Sequence, residues 1–169
     1  MNITYNQSQT ILSVDPGYER LGIAVLVKNE KGTINILHSE CFKTSSKEEF
    51  PDRLVQLGKR LSEIIEKFKP TTMAIENLFM QTNQKTVMKV SEARGVLLYT
   101  ARVFKLSIHE LTPLQIKSAV TGSGRSDKIA VQKMIMLLLP EIKNKVKAID
   151  DEYDALACGL AYFALEKSL

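Results

Sequence analysis

Acidic residues stand at the ends of three separate stretches of this chain. An apolar run over residues 11–14 stops at Asp15, a second over 73–75 stops at Glu76, and Asp150 opens an acidic segment that ends at Asp154. An apolar run of strand length that ends at a carboxylate, followed here by Pro16 and Gly17, is typical of a buried strand entering a turn. Three acidic points far apart in sequence indicate a composite metal site.

The ligand types available to such a site favour a hard cation. Carboxylate and water oxygens suit Mg²⁺ or Mn²⁺, and the only histidines, His38 and His109, lie in strand-like runs and are interpreted as structural. Four carboxylates would hold two ions about 4 Å apart, one activating a water and one stabilising a leaving 3′ oxygen. Such a site needs no protein nucleophile, and Asp15 is its natural bridging ligand.

The acidic segment at the last helix has two interpretations. Asp151 and Asp154 are three residues apart and share one helix face, so both could serve the site. Asp150 lies four residues before Asp154 on nearly the same face and could replace Asp151. Acidic residues in a first turn also interact favourably with the helix macrodipole, which by itself would explain residues 150–152.

Size and composition favour one ordinary domain. The chain has 169 residues, of which 44% are apolar and 25% charged, so residues 1–169 are predicted to form a single domain with a sizeable core. No apolar run approaches the roughly 18 residues that span a bilayer, and the first residues lack a signal-peptide layout. We expect a cytoplasmic protein without a membrane segment, and Cys41 and Cys158 as small buried hydrophobes.

The charge distribution is uneven along the chain. Residues 77–147 contain 12 Lys and Arg against 4 Asp and Glu, a net charge of +8, whereas the rest carries −4. A basic middle between acidic ends suggests an anionic ligand held against a metal site. Nucleic acid is the leading candidate because Lys and Arg neutralise phosphates, although charge runs are often simply solvated faces.

The order of elements predicts the fold class. Strands are predicted at 11–14, 21–27, 33–42, 71–76 and 106–111, and helices at 51–68, 84–104, from Thr112 to 121, from a Ser126 cap to Pro140, and from Asp150 onward, after a basic linker over 143–147. The first three strands form an antiparallel meander, and a strand reached across a helix lies parallel to the first. We therefore predict an α/β, ribonuclease H-like fold: a mixed five-stranded sheet flanked by helices, with Asp15 beside Glu76.

The long helix over 84–104 has two further features. Arg94 falls within its apolar stripe, where a charge requires a partner, so we expect a salt bridge within the chain or across a subunit contact. Gly95 would permit close helix packing. This helix is the candidate dimer interface.

Four blocks of the sequence together resemble a known family. They are Asp15-Pro16-Gly17 with Gly22, residues 74–83, Glu92-Ala93-Arg94-Gly95-Val96, and residues 151–157. In collinear order over nearly the whole chain, including the Lys117 region and the loop at 122–124, they are similar to the RuvC-type Holliday junction resolvases, the crossover junction endodeoxyribonucleases.

The resemblance implies a homodimeric, Mg²⁺-dependent endonuclease that nicks four-way DNA junctions symmetrically in recombination and repair. It further implies two Mg²⁺ ions per site, with Mn²⁺ as a substitute, and a possible complex with a branch-migration helicase. The family's catalytic metal ligands fall on Asp15, Glu76, Asp151 and Asp154. Its DNA-contacting positions fall on Phe79, which would stack on an unpaired base, on Asn83 and Lys85, and on Lys117 and Lys128.

Two other functions compete with this one. The same fold and metal site could act on an RNA–DNA hybrid or an unbranched duplex, because fold alone does not choose a substrate. A module that only binds junctions is the alternative from another class. It is disfavoured because clustered carboxylates repel phosphate unless a cation intervenes.

Overall fold

A mixed sheet of five strands forms the centre of the molecule, in the order β3-β2-β1-β4-β5. The computed structural model describes residues 8–77, 84–144 and 150–166. The strands are β1 (Gln9–Asp15), β2 (Arg20–Lys28), β3 (Ile34–Lys43), β4 (Thr72–Glu76) and β5 (Ser107–Leu111). β1, β2 and β3 pair antiparallel, whereas β4 pairs parallel with both β1 and β5. The predicted mixed sheet is confirmed.

Helices cover both faces of this sheet. They are α1 (Phe50–Phe68), α2 (Gln84–Val103), α3 (Pro113–Thr121), α4 (Lys128–Leu138) and α5 (Asp150–Leu165), and a short 3₁₀ helix spans Pro140–Asn144. The predicted cap of α4 was wrong by one residue. Asp127, and not Ser126, accepts a hydrogen bond from the Ala130 N–H at 2.7 Å, because the Ser126 hydroxyl lies 2.7 Å from that of Thr121.

The strand alternation divides the interior into two cores. On β1, Leu12 and Val14 pack with α1 and α2, whereas Ile11 packs with α3, α4 and α5. Side chains of successive strand residues point to opposite faces, so Asp15 is on the face that carries α5. The predicted apolar stripe of α5 is buried; its members are Leu156, Gly159, Leu160 and Phe163.

Close approach of α5 to the sheet depends on Gly159. A Cβ built at this position would lie 2.7 Å from the Ser13 hydroxyl oxygen and 2.5 Å from a methyl carbon of Leu26. A larger residue would therefore have to displace these two side chains or move α5 away from β1 and β2. The glycine sets the distance at which the acidic first turn of the same helix meets the sheet.

The remaining predictions about α2 have mixed outcomes. Arg94 forms its expected salt bridge within the chain, to Glu110 of β5 at 2.5 Å. Gly95 makes no close helix contact within the described part of the chain, so the close packing expected there stays a prediction for a subunit contact. A Cβ at Gly95 meets nothing within 4 Å, whereas one at Gly58 of α1 would lie 3.2 Å from Val96.

The prediction for the cysteines holds for one of the two. Cys158, a residue of α5, is fully buried in the core, but Cys41 is only partly buried, since it lies on β3 beside the acidic first turn of α5. His38 and His109 lie within β3 and β5, inside the strand-like runs assigned to them. Within the described ranges, no helix combines the length and apolar character needed to cross a membrane.

Candidate active site

Asp15 and Glu76 meet at one edge of the sheet. The parallel pairing of β1 with β4 aligns Val14 with Ile75, and each acidic residue is the next one along its strand. Carboxyl ends of adjacent parallel strands lie at the same sheet edge, where open α/β sheets place their ligands. The Glu76 carboxylate accordingly contributes, after burial, to the raised pKa of Asp15.

The first turn of α5 approaches the same edge because Gly22 has no side chain. A Cβ at Gly22 would lie 2.0 Å from the backbone oxygen of Asp151 and 3.2 Å from the Cβ of Asp15. Asp15 is paired with Gly22 across the β1–β2 ladder. Glycine at this one position therefore lets the acidic turn of α5 lie directly beside Asp15.

Burial and mutual repulsion raise the pKa values of these carboxyl groups. The pKa of Asp15 rises to about 8, first through burial and then through the negative charges of Glu76, Asp154 and Asp151. The pKa of Glu76 rises to about 7, through burial and then through Asp154. Burial also raises the pKa of Asp154. Crowded acids with raised pKa values are characteristic of functional sites, and a cation among them would relieve the repulsion.

The structure separates the two candidates for the partner of Asp154. Asp150 is 65% exposed and its carboxylate accepts a hydrogen bond from Gln132 at 3.0 Å. Asp151 is 22% exposed and is one of the charges that raise the pKa of Asp15. Asp151 therefore faces the other acids, whereas Asp150 faces solvent and α4.

Two cationic side chains bind the acids of α5. Lys128 lies 3.0 Å from the Oδ2 atom of Asp154 and 3.6 Å from that of Asp150. Arg20, the first residue of β2, lies 2.6 Å from the Oδ2 atom of Asp151. Lys128 is thus an ion-pair partner of a candidate metal ligand in addition to being a predicted DNA contact.

An open cleft of about 210 Å³ connects the acids to the basic residues. We call it the acidic cleft; its lining residues are Glu76, Pro113, Ile116, Lys117, Lys128, Val131, Asp154 and Ala157. The positive charges of Lys117 and Lys128 partly offset the rise in the pKa of Glu76. The predicted lysines and two of the predicted acids therefore share one concave surface.

Sequence reasoning missed Arg20 and the role of Cys41. The Cys41 thiol lies 3.7 Å from the Oδ2 atom of Asp151, the same oxygen that Arg20 contacts. The two residues come together because β2 pairs with β3 in a register that aligns Gly22 with Cys41. The charge of Arg20 beside the Asp15 turn was the one available signal, and it is weak because arginine is common at strand ends.

The donor set fits a divalent cation, although it is not preformed. Among the described residues, no three histidine, cysteine or acidic side chains make a group ready to hold a metal ion. Arg20 and Lys128 bind two of the four acids. All four donors are carboxylates, the ligand type that hard cations prefer, and a cation among them would relieve the repulsion that helps raise the pKa values of Asp15 and Glu76.

Three predicted DNA contacts are only partly covered by the structure. Phe79 and Asn83 lie outside the described residues, and Lys85 is described by its helical backbone alone.

Comparison with known proteins identifies the family. The profile of the family described as "Crossover junction endodeoxyribonuclease RuvC" matches residues 11–162. The chain belongs to the RuvC family. A RuvC of Alkaliphilus metalliredigens is 43% identical over 152 residues, which is 90% of this chain and 91% of that protein. A RuvC of Petrotoga mobilis is 40% identical over 159 residues, 94% of this chain and 95% of that protein.

Solved structures of family members support the same fold. The structure of Thermus thermophilus RuvC superposes with a TM-score of 0.85 at 27% identity, covering 95% of this chain and 96% of that one. The same T. thermophilus protein in complex with a Holliday junction substrate gives a TM-score of 0.83 at 24% identity, with the same coverage of both chains. The predicted ribonuclease H-like fold and the family resemblance are both confirmed.

Proposed function

We propose that this chain hydrolyses phosphodiester bonds of four-way DNA junctions at the site formed by Asp15, Glu76, Asp151 and Asp154. Membership of the RuvC family makes it a crossover junction endodeoxyribonuclease, a metal-dependent nuclease of DNA recombination and repair that resolves Holliday junctions. We propose, in addition, which residues carry out the reaction, which metal they bind, that the protein forms a dimer and which partners it has. The observation that carries it is the mutual crowding of Asp15, Glu76 and Asp154 at one sheet edge.

The four carboxylates are proposed to hold two Mg²⁺ ions, with Mn²⁺ able to replace them. When bound, such cations supply an activated water and stabilise the charge of the leaving oxygen. Asp15 would contribute a ligand from the central strand of the sheet, where pairing with Gly22 of β2 holds its backbone. Asp151 is favoured over Asp150 as a ligand because it is less exposed and faces Asp15.

Lys117 and Lys128 are proposed to contact the DNA backbone. Both line the acidic cleft beside Glu76, so a phosphate brought to the metal ligands would pass near their ammonium groups. Lys128 is paired with Asp154 in the free protein and would exchange this partner for a phosphate or share it. Phe79, Asn83 and Lys85 remain predicted contacts, with Phe79 as the stacking residue.

A homodimer is proposed because paired nicks on a two-fold symmetric junction suit a two-fold symmetric enzyme. The exposed side of α2 supports this proposal: Met88, Tyr99 and Val103 are 67%, 72% and 57% exposed, and Gly95 between them has open space. Association with a branch-migration helicase and a cytoplasmic location stay predictions.

The proposal is tested by comparing substrates. A four-way junction, a linear duplex of the same sequence and an RNA–DNA hybrid are incubated with the protein in Mg²⁺, in Mn²⁺ and in EDTA. Paired nicks on the junction alone, dependent on the metal, are expected. Equal cleavage of the linear duplex or the hybrid would favour the alternative nuclease, and junction binding without cleavage would favour the binding module.

The Asp15→Asn variant tests the site itself. We expect cleavage to fall by more than about 100-fold, since even outer partners of metal ligands cost 10–100-fold, while junction binding persists on the basic surface. In EDTA the variant should melt at a higher temperature than the wild type, because a neutral amide replaces a buried carboxyl group whose pKa is raised to about 8 by burial and by the charges of Glu76 and Asp154. Retained nicking would exclude Asp15 from the catalytic residues.

A further inference from the structure

Arg20 lies at the site, yet neither the sequence nor the proposed reaction assigns it a role. It is the first residue of β2, and its guanidinium lies 2.6 Å from the Oδ2 atom of Asp151. The side chain is 46% exposed, and that of Asp151 is 22% exposed. A pair this open to water contributes little to the stability of a fold, so stability is a poor explanation for its position.

The contact fixes one particular carboxylate oxygen. The Cys41 thiol approaches the same Oδ2 atom of Asp151 to 3.7 Å, so a charged donor and a neutral donor converge on it. Two donors on one oxygen restrict the rotation of the carboxylate and orient it relative to Asp15. Arg20 therefore acts on the site through Asp151.

Arg20 also partly neutralises an acid that the site needs for binding a cation. Asp151 is one of the negatively charged residues near Asp15, and these charges would attract a divalent ion. A divalent ion on Asp151 and a guanidinium 2.6 Å from its Oδ2 atom would repel each other, since like charges a few Å apart repel even where water partly screens them. The cation and Arg20 therefore compete for Asp151.

We propose that Arg20 is a positioning residue that holds Asp151 in the metal-free protein and is displaced when a divalent cation binds. The inference rests on the proposed function in one respect, since it takes Asp151 as a metal ligand. In this arrangement the site has an internal counter-ion, which limits repulsion among the acids before the metal arrives. The release of Arg20 leaves a positive charge at the rim of the site.

The test measures metal binding without DNA. Mn²⁺ is titrated calorimetrically into the full-length, metal-free wild type and into the Arg20→Gln, Arg20→Lys and Lys31→Ala variants. We expect Arg20→Gln to bind Mn²⁺ about two- to ten-fold more tightly, the range that loss of one exposed ion-pair competitor allows. Arg20→Lys keeps the charge and should stay near the wild type.

Lys31→Ala is the matched control for net charge. Its side chain is exposed in the turn after β2, at the opposite end of that strand from Arg20, and its loss removes the same single charge. Unchanged affinity in this variant, together with tighter binding in Arg20→Gln, supports a local competition. Equal tightening in both variants would reduce the effect to net charge and overturn the proposal, as would equal or weaker binding in Arg20→Gln.

A double-variant cycle separates this inference from the proposed function. In an Asp151→Ala background, Arg20→Gln should have no further effect on Mn²⁺ affinity, because the carboxylate that Arg20 contacts is absent. A persistent effect would show that Arg20 acts elsewhere and would overturn the inference. If Asp15→Asn binds Mn²⁺ as the wild type does, the metal site itself is wrongly assigned. If only the Arg20 variants fail to respond, the metal site stands and the role of Arg20 falls.

Discussion

At the scale of single residues, identical acids acquire different properties from their neighbours. Asp150, Asp151 and Glu152 are consecutive in sequence, yet Asp150 is solvent-exposed and Asp151 faces β2. Glu152 is 3% exposed and accepts a hydrogen bond from the Ser39 hydroxyl at 2.5 Å. Only Asp151 is directed toward Asp15. Successive side chains in the first turn of a helix point in directions about 100° apart. The three consecutive acids therefore face solvent, the site and the core, respectively.

Lys117 is expected to act on DNA affinity through its charge. Substitution by alanine should weaken junction binding and reduce the slope of log affinity against log salt by about 1, because one phosphate contact is lost. The measurement is junction binding by fluorescence anisotropy in Ca²⁺ over a series of salt concentrations. Lys67→Ala, an exposed lysine on α1 across the sheet from the acidic cleft, is the control. A Lys117→Ala slope equal to that of the wild type would remove Lys117 from the DNA surface.

At the scale of elements, the site depends on how closely α5 approaches the β1–β2 pair. Gly159 and Gly22 are the two positions of close contact, one in the middle of α5 and one beside its first turn. Packing of the apolar side of α5 fixes the helix, and its acids are then placed beside Asp15 without further adjustment. The structural core and the candidate catalytic site are thus positioned by the same contacts.

Substitution of Gly22 by alanine tests this arrangement. The added Cβ would lie 2.0 Å from the backbone oxygen of Asp151, and a backbone atom cannot move without displacing α5. We expect a loss of about 1–3 kcal/mol in the free energy of unfolding, typical of overpacking, and a larger fractional loss of cleavage. Urea unfolding and junction cleavage measure the two effects. Wild-type values for both would show that α5 tolerates displacement.

A second inter-element contact, between β3 and α1, makes stability depend on pH. Burial by itself raises the pKa of Glu40, but the interactions with His38 and Arg60 outweigh it and lower the pKa to about 2, from 4.5. Arg60 donates to both carboxylate oxygens, at 2.7 and 2.8 Å. A lowered pKa in the folded state means that the stabilisation is present above about pH 4.5 and is lost as the pH falls toward 2.

Glu40→Gln should therefore destabilise the protein by about 1–2 kcal/mol at pH 7, after discounting the pKa shift for partial exposure. The difference from the wild type should shrink steadily between pH 4.5 and pH 3. Urea unfolding at several pH values measures it. Glu63→Gln is the control, because Glu63 contacts the same arginine but is 63% exposed. A difference that does not vary with pH would contradict the ion-pair explanation.

At the scale of the whole molecule, the sheet separates two surfaces with different roles. The face that carries α3, α4 and α5 has the acidic cleft, and the opposite face carries α1 and α2. The exposed apolar residues of α2 lie on this second face. A dimer formed through α2 would leave both acidic clefts open to DNA.

Tyr99→Glu tests the proposed dimer. Tyr99 is 72% exposed, so a charge there should not disturb the protomer, but it would be buried in an interface through α2. We expect the wild type to be dimeric by light scattering, and the variant to shift to the monomer with an unchanged circular dichroism spectrum. Junction cleavage should then change from paired to single nicks. A variant that remains dimeric would place the interface elsewhere.

Local sequence patterns were sufficient to predict the element order, the approximate ends of the strands and the acids placed there. Each follows from patterns within a few residues, such as the apolar run before Asp15 or the proline at the start of α3. The resemblance to RuvC resolvases rested on short blocks of the same kind. Beyond these local patterns, prediction of the sheet and of the proximity of Asp15 to Glu76 required only one rule: a strand reached across a helix lies parallel to the first.

Tertiary structure alone decided which of Asp150 and Asp151 faces Asp15, and that Arg20 and Cys41 contact Asp151. Cys41 and Asp151 are 110 positions apart, and their contact depends on the register of β2 with β3 and on the depth at which α5 packs. No local pattern encodes these two quantities, because both result from the fit of side chains across the two cores. The chemistry of the acids was therefore visible in the sequence, whereas their partners were not.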